Sequence, residues 1–148
     1  MTAKDIKIKV TGIQNTAGVE HVPEVLEFET TGVFYEKDGK CYIKYDEYME
    51  EAEAPVKNLL RFDDEVLQLT KRGGINTVMV FDREKNSSVH YVTPYGAICM
   101  NICTEDYHME KTGEGVYLDV LYCIDFNYDY ITECSLNVSA DYCQDVQG

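Results

Sequence analysis

Apolar and polar residues alternate with a period of two along almost the whole chain. Ile6, Ile8 and Val10 alternate with Lys7, Lys9 and Thr11, and Cys41, Ile43 and Tyr45 alternate with Lys40, Lys44 and Asp46. The longest run sets Val116, Leu118, Val120, Tyr122, Ile124 and Phe126 against Tyr117, Asp119, Leu121, Cys123 and Asp125. Successive side chains of an extended chain point to opposite faces. Each run therefore reads as a half-buried antiparallel strand, apolar on one face and polar on the other. Leu26, Phe28 and Phe34 share one face of a further run that Gly32 interrupts, and Cys134, Leu136, Val138 and Ala140 share the inner face of the last.

Turn signals separate these runs. Asp38-Gly39 and Gly73-Gly74 are two-residue hairpin signals, and Asp63-Asp64, Asn86-Ser87-Ser88, Pro94-Tyr95-Gly96 and Gly113-Glu114-Gly115 mark further turns. The pattern predicts strands over residues 5–14, 24–36, 40–47, 55–62, 65–72, 75–82, 88–94, 97–109, 115–127 and 132–141. No segment shows a helical stripe; Asp46 to Glu53 is the only stretch that admits a short helix, which Pro55 would close. Sequential hairpins make a meander, and one this long must close or leave two edges open to aggregation. The expected fold is all-β, a closed or nearly closed up-and-down antiparallel barrel of about eight to ten strands. It is expected to form one domain over residues 1–148. In the last hairpin, pairing Ile124 with Cys134 and Leu118 with Ala140 keeps the apolar residues on one face, and sets Cys123 and Cys134 on opposite faces.

Composition narrows the partners. The chain has 13 Lys and Arg against 27 Asp and Glu, a net charge of -14. From Thr112 to Gly148 there are seven acids and no Lys or Arg. Nucleic acid and anionic membrane surfaces are recognised by cations, so neither is an expected partner. Met1 to Lys9 is polar with no apolar segment behind it, and no apolar run approaches the roughly 20 residues of a membrane-spanning helix. A cytoplasmic location is expected. The six cysteines contain no C-x-x-C pair and are expected to be reduced thiols packed as small apolar groups. Cys99 and Cys103 lie in one strand, about 13 Å apart, too far to bond.

The segment His90-Tyr91-Val92-Thr93-Pro94-Tyr95-Gly96-Ala97-Ile98-Cys99-Met100 resembles the Y-x-T-P-Y-G-x-L-x-M signature of the YwiB-like proteins, small bacterial β-barrels grouped with the calycins. Glu27–Gly32, Lys40–Glu47 and Val66–Gly74 resemble other blocks of that family, in the same order, so the likeness runs from about Ile6 to Ala140. It implies a calycin-like, lipocalin-like barrel and brings no activity with it.

Candidate chemistry is sparse. The four serines lie outside any nucleophile elbow, and His21, His90 and His108 form no metal-ligand spacing. No catalytic residue, metal site or cofactor is expected. The acids Asp46, Glu47, Glu50, Glu51 and Glu53 read as a solvated face rather than a calcium site. The twelve tyrosines suit a barrel interior that offers phenol tips to an amphipathic ligand. Arg61 and Arg72 stand out where cations are few: pointing inward they would clamp an anionic head group, and pointing outward they would pair with Asp63, Asp64 or Glu65. Phe28, Phe34, Phe62, Phe81, Phe126, Met79 and Met100 are available to fill the interior. The expected function is therefore non-catalytic binding of a small hydrophobic or amphipathic molecule, with Arg61, Arg72, Tyr91, Tyr95 and Tyr122 as contact residues. The alternative is a structural or protein-interaction module, a homodimer with a barrel filled by its own side chains.

Overall fold

In the computed structural model the alternating pattern folds into ten strands: β1 (Lys4–Thr16), β2 (Glu24–Lys37), β3 (Lys40–Glu47), β4 (Val56–Phe62), β5 (Val66–Arg72), β6 (Thr77–Asp82), β7 (Ser87–Thr93), β8 (Gly96–Lys111), β9 (Gly115–Phe126) and β10 (Tyr130–Tyr142). The structure describes residues 3–16, 24–48, 54–73, 76–93, 96–126 and 130–143, with side chains except at 16, 90–98 and 126–131. Each stretch of alternation becomes one strand, and no helix occurs among the described residues. Of the stretch that admits a short helix, Asp46 and Glu47 continue β3, and residues 49–53 lie outside the described residues.

All neighbours are antiparallel, in the order β6-β5-β4-β3-β2-β1-β10-β9-β8-β7. The two terminal strands, β1 and β10, pair along their whole lengths, so the sheet curls into a nearly closed barrel. Its one seam lies in mid-chain, where β6 and β7 pack together without a ladder of hydrogen bonds among the described residues. Asp38 (φ 53°) and Gly39 (φ 78°) form the β2–β3 turn, the positive dihedrals at both central positions that a type I′ hairpin requires.

The barrel waist is filled by its own side chains. Ile6, Ile8, Ile43, Leu60, Phe62, Leu67, Phe81, Ile102, Val116, Leu118, Val120 and Val138 are all fully buried. Of the expected fillers, Phe34 and Met100 are also buried, Phe28 and Met79 partly so, and the Phe126 side chain lies outside the described residues. Two local irregularities shape the wall. A Cβ at Gly32 would sit 2.4 Å from the Lys44 carbonyl oxygen and 2.7 Å from Ile8 Cδ1, so only glycine lets β2 pass that closely. A bulge between Thr104 and Asp106 inserts Glu105 into β8 and exchanges its inward set, from Met100, Ile102 and Thr104 to Tyr107 and Met109.

The last hairpin keeps the expected face in a different register. Ile124 pairs with Thr132, Tyr122 with Cys134 and Leu118 with Val138, two residues from the expected alignment. A shift of two preserves which face every side chain takes, so burial alone does not choose between the two registers. The added Phe126–Tyr130 pair lengthens the ladder and settles the register. Cys123 and Cys134 do point to opposite faces.

The strands differ in length, which gives the barrel an uneven rim. β3 to β6 have eight, seven, seven and six residues, whereas β1 and β2 have 13 and 14. On β2, β3 pairs with Gly32–Lys37, so the first half of β2 rises beyond it with β1 as its only strand partner among the described residues. This rim, where β3 and β5 end and β4 and β6 begin, is here called the mouth.

Candidate functional site

The inward alternation of β3, β4 and β5 continues past the apolar waist into polar residues at the mouth. Glu47 follows Tyr45 by two positions, Asn58 precedes Leu60 by two, and Lys71 follows Leu69 by two. The register sets Asn58 between Tyr45 on β3 and Lys71 on β5. Lys71 Nζ contacts Glu47 Oε1 at 3.0 Å, with side-chain exposures of 33% and 16%. The Asn58 side-chain amide donates to Glu47 Oε1 at 3.4 Å and to the Val56 carbonyl at 3.3 Å. Those two acceptors fix the orientation of the amide, because the opposite flip would set its oxygen against a carboxylate and a carbonyl.

Asn58 is 3% exposed, and its Oδ1 has no hydrogen-bond donor among the described residues. Its neighbour Tyr45 is 6% exposed, and burial, followed by the charge of Glu47, pushes its phenol pKa well above the ordinary range. On the adjoining wall the ring of Phe28 lies 6.0 Å from that of Tyr45. Beyond it Leu26 is 60% exposed, on the face of β2 that carries Phe28. Lys71 and Thr77 also line a groove of about 460 Å³ that opens at the β6–β7 seam. The mouth thus places an unmet acceptor, an ammonium and a carboxylate beside apolar surface. Such a set is chemically complementary to a molecule that is polar at one end and apolar at the other. Deeper in the barrel Thr104 Oγ1, across from Tyr122, is also buried with no hydrogen-bond partner among the described residues.

Of the residues singled out from sequence, Arg61, Arg72 and Tyr122 fall elsewhere. Arg61 and Arg72 lie on the outer face and are exposed, so neither is placed to clamp a head group inside the barrel. Neither forms an ion pair among the described residues. Lys40 takes Asp63 instead, at 2.6 Å, and that bond, with the Glu65 and Val66 amides, holds the Asp63 carboxyl at a pKa of about 2. Arg72 joins Lys44, Lys57 and Asp46 around an external groove of about 380 Å³. Tyr122 is in the interior, its ring edge-on to Phe81 at 4.7 Å and its hydroxyl in contact with the Cys134 thiol. Burial raises that thiol to about 11. The Tyr91 side chain and all of Tyr95 lie outside the described residues.

Glu47 corrects one sequence reading, because it leaves the acidic run it was grouped with and turns inward to Lys71. The signal for the mouth residues is present in the sequence. Period two, carried to the strand ends, places Glu47, Asn58 and Lys71 on the inner face, whereas the scarcity of arginine points to residues on the outer one. Among the described residues no group of three His, Cys, Asp or Glu is arranged to hold a metal. The described residues include no helix long and apolar enough to cross a membrane.

Residues 8–138 match the family model described as a domain of unknown function, DUF1934. Among solved structures, the chain is similar to the crystal structure of the YwiB protein from Bacillus subtilis. The TM-score is 0.74, at 18% sequence identity, over 93% of this chain and 92% of that one. At that identity the likeness carries the fold, and it agrees with the YwiB-like barrel the sequence blocks imply. No curated protein matches the chain.

Proposed function

The chain belongs to the DUF1934 family, and on that premise we propose that its barrel is a non-catalytic binding protein for a small amphipathic molecule, seated at the mouth. The observation that carries this reading is the buried Asn58 Oδ1 without a donor. An unmet buried acceptor costs about 1–3 kcal/mol, and a ligand hydroxyl or amine pointing at it removes that cost. Lys71 and Glu47 steer a polar or charged group, while Leu26 and Phe28 give the other end apolar contact. The filled waist keeps the ligand at the mouth. Six cysteines carried as thiols suit a reducing compartment, so the proposal places the protein in the cytoplasm.

Native mass spectrometry of protein purified gently from its own source tests the reading. The wild type is expected to carry a small adduct that Asn58→Leu lacks. A wild type found only at its polypeptide mass, or an adduct that survives in Asn58→Leu, refutes it. The same spectrum addresses the second reading, a homodimer. That reading is favoured by Ile13 and Val25, exposed register partners on the outer face of the β1–β2 rim. A dimer that Val25→Ser dissociates supports it, and a monomer at micromolar concentration refutes it.

A further inference from the structure

Two cysteines separated in sequence by the whole β8–β9 turn stand directly opposite each other. Cys103 on β8 is the register partner of Cys123 on β9. Directly opposed residues of an antiparallel pair have Cα atoms about 4.5 or 5.5 Å apart, and both values lie within the span a disulfide bridges. Both side chains lie on the outer face: Cys103 is exposed and Cys123 partly so. The bulge residue Glu105 leans over the pair and accepts a hydrogen bond from Cys123 Sγ at 3.1 Å. We propose that Cys103 and Cys123 form a reversible cross-strand dithiol, oxidised by low-molecular-weight disulfides.

The chemistry is thiol–disulfide exchange. The Cys103 thiolate attacks one sulfur of a small disulfide RSSR, whose S–S bond breaks, and the departing RS⁻ takes up the proton Cys103 released. Cys123 Sγ then attacks the Cys103 sulfur of the mixed disulfide, and the second RS⁻ leaves with the Cys123 proton, relayed by Glu105. Two protein thiols are oxidised, and one RSSR is reduced to two RSH. The order follows from the surroundings. Burial, then the bond to Glu105, raises the Cys123 thiol to about 12, so the open Cys103 exchanges first and Cys123 resolves. The bond would clamp the β8–β9 register beside the bulge, where the ladder is weakest.

The full-length protein is incubated with excess oxidised glutathione, remaining thiols are blocked, and the product is digested with trypsin. Cleavage after Lys111 separates the peptide holding Cys99 and Cys103 from the one holding Cys123, Cys134 and Cys143. The expected product joins these two peptides through Cys103 and Cys123, and melts several degrees above the reduced protein. Cys103→Ser and Cys123→Ser each abolish the link, and Cys99→Ser and Cys134→Ser each leave it. A persistent glutathione adduct on Cys103, a link through any other pair, or no link at all overturns the proposal.

Discussion

Asn58→Leu removes the unmet acceptor while keeping a side chain of similar shape in the same place. The structure sets the terms. The wild type bears about 1–3 kcal/mol for the buried Oδ1 without a donor. Against that, the substitution forfeits two long hydrogen bonds, to Glu47 at 3.4 Å and to the Val56 carbonyl at 3.3 Å, each contributing about 0.5 kcal/mol. Glu47 keeps Lys71 as a partner. The introduced leucine side chain adds apolar contact with Tyr45 and Leu60, so the variant should be more stable than the ligand-free wild type by about 1 kcal/mol. For a chain of this size that is a rise of about 2–4 °C in the melting temperature. Thermal and urea unfolding followed by far-UV circular dichroism report it, with tyrosine fluorescence as a second probe in a protein without tryptophan. The reasoning depends on the sign. A variant less stable than ligand-free wild type by 1 kcal/mol or more means that Asn58 serves the fold, and the argument for a ligand at Oδ1 falls with it.

Gly32→Ala drives a methyl into the Lys44 carbonyl, which cannot move without disturbing the β2–β3 ladder. A loss of about 2–4 kcal/mol is expected in urea titrations, and a variant within 0.5 kcal/mol of wild type (roughly the scatter of a tolerated surface change) contradicts the close approach. Asp63, held at about 2 chiefly by the Lys40 bond, has a folded value below its ordinary 3.8. Its contribution is therefore present above that ordinary value and lost as pH falls through the folded one. Between about pH 4 and pH 2 the wild type should lose about 1 kcal/mol more than Asp63→Asn, the side chain being partly screened by solvent. Parallel pH–stability curves for the two proteins would show that Lys40 contributes nothing there.

The strands were legible because a half-buried strand writes its burial directly into a period of two, and each of the ten is visible as such. Register was less legible. Pairing Ile124 with Cys134 or with Thr132 buries the same faces, and what separates them is the extra Phe126–Tyr130 pair. The site was legible in principle and overlooked. Asn58 carries no charge and Glu47 sits inside an acidic run, so their residue types attract no notice, although their positions two steps from Leu60 and Tyr45 put them inside. Arg61 stands out for its type, while its position, one step from the buried Leu60 and Phe62, puts it outside. The Cys103–Cys123 opposition was out of reach, because it depends on the β8–β9 register across a turn with a bulge beside it.

The pairing of β1 with β10 also governs how the protein can be made. Ile6 finds its partner in Tyr142, nearly the full length of the chain away, whereas every other ladder joins strands adjacent in sequence. On the ribosome β1 to β6 can zip hairpin by hairpin, yet β1 keeps a bare edge until β10 has been synthesised and released. Closure is thus the step with the largest loop to gather, and the slowest by the relation between contact order and folding rate. Over that interval the nascent sheet is vulnerable to pairing with another chain. The alternating Lys7 and Lys9 on β1 are well placed to discourage it.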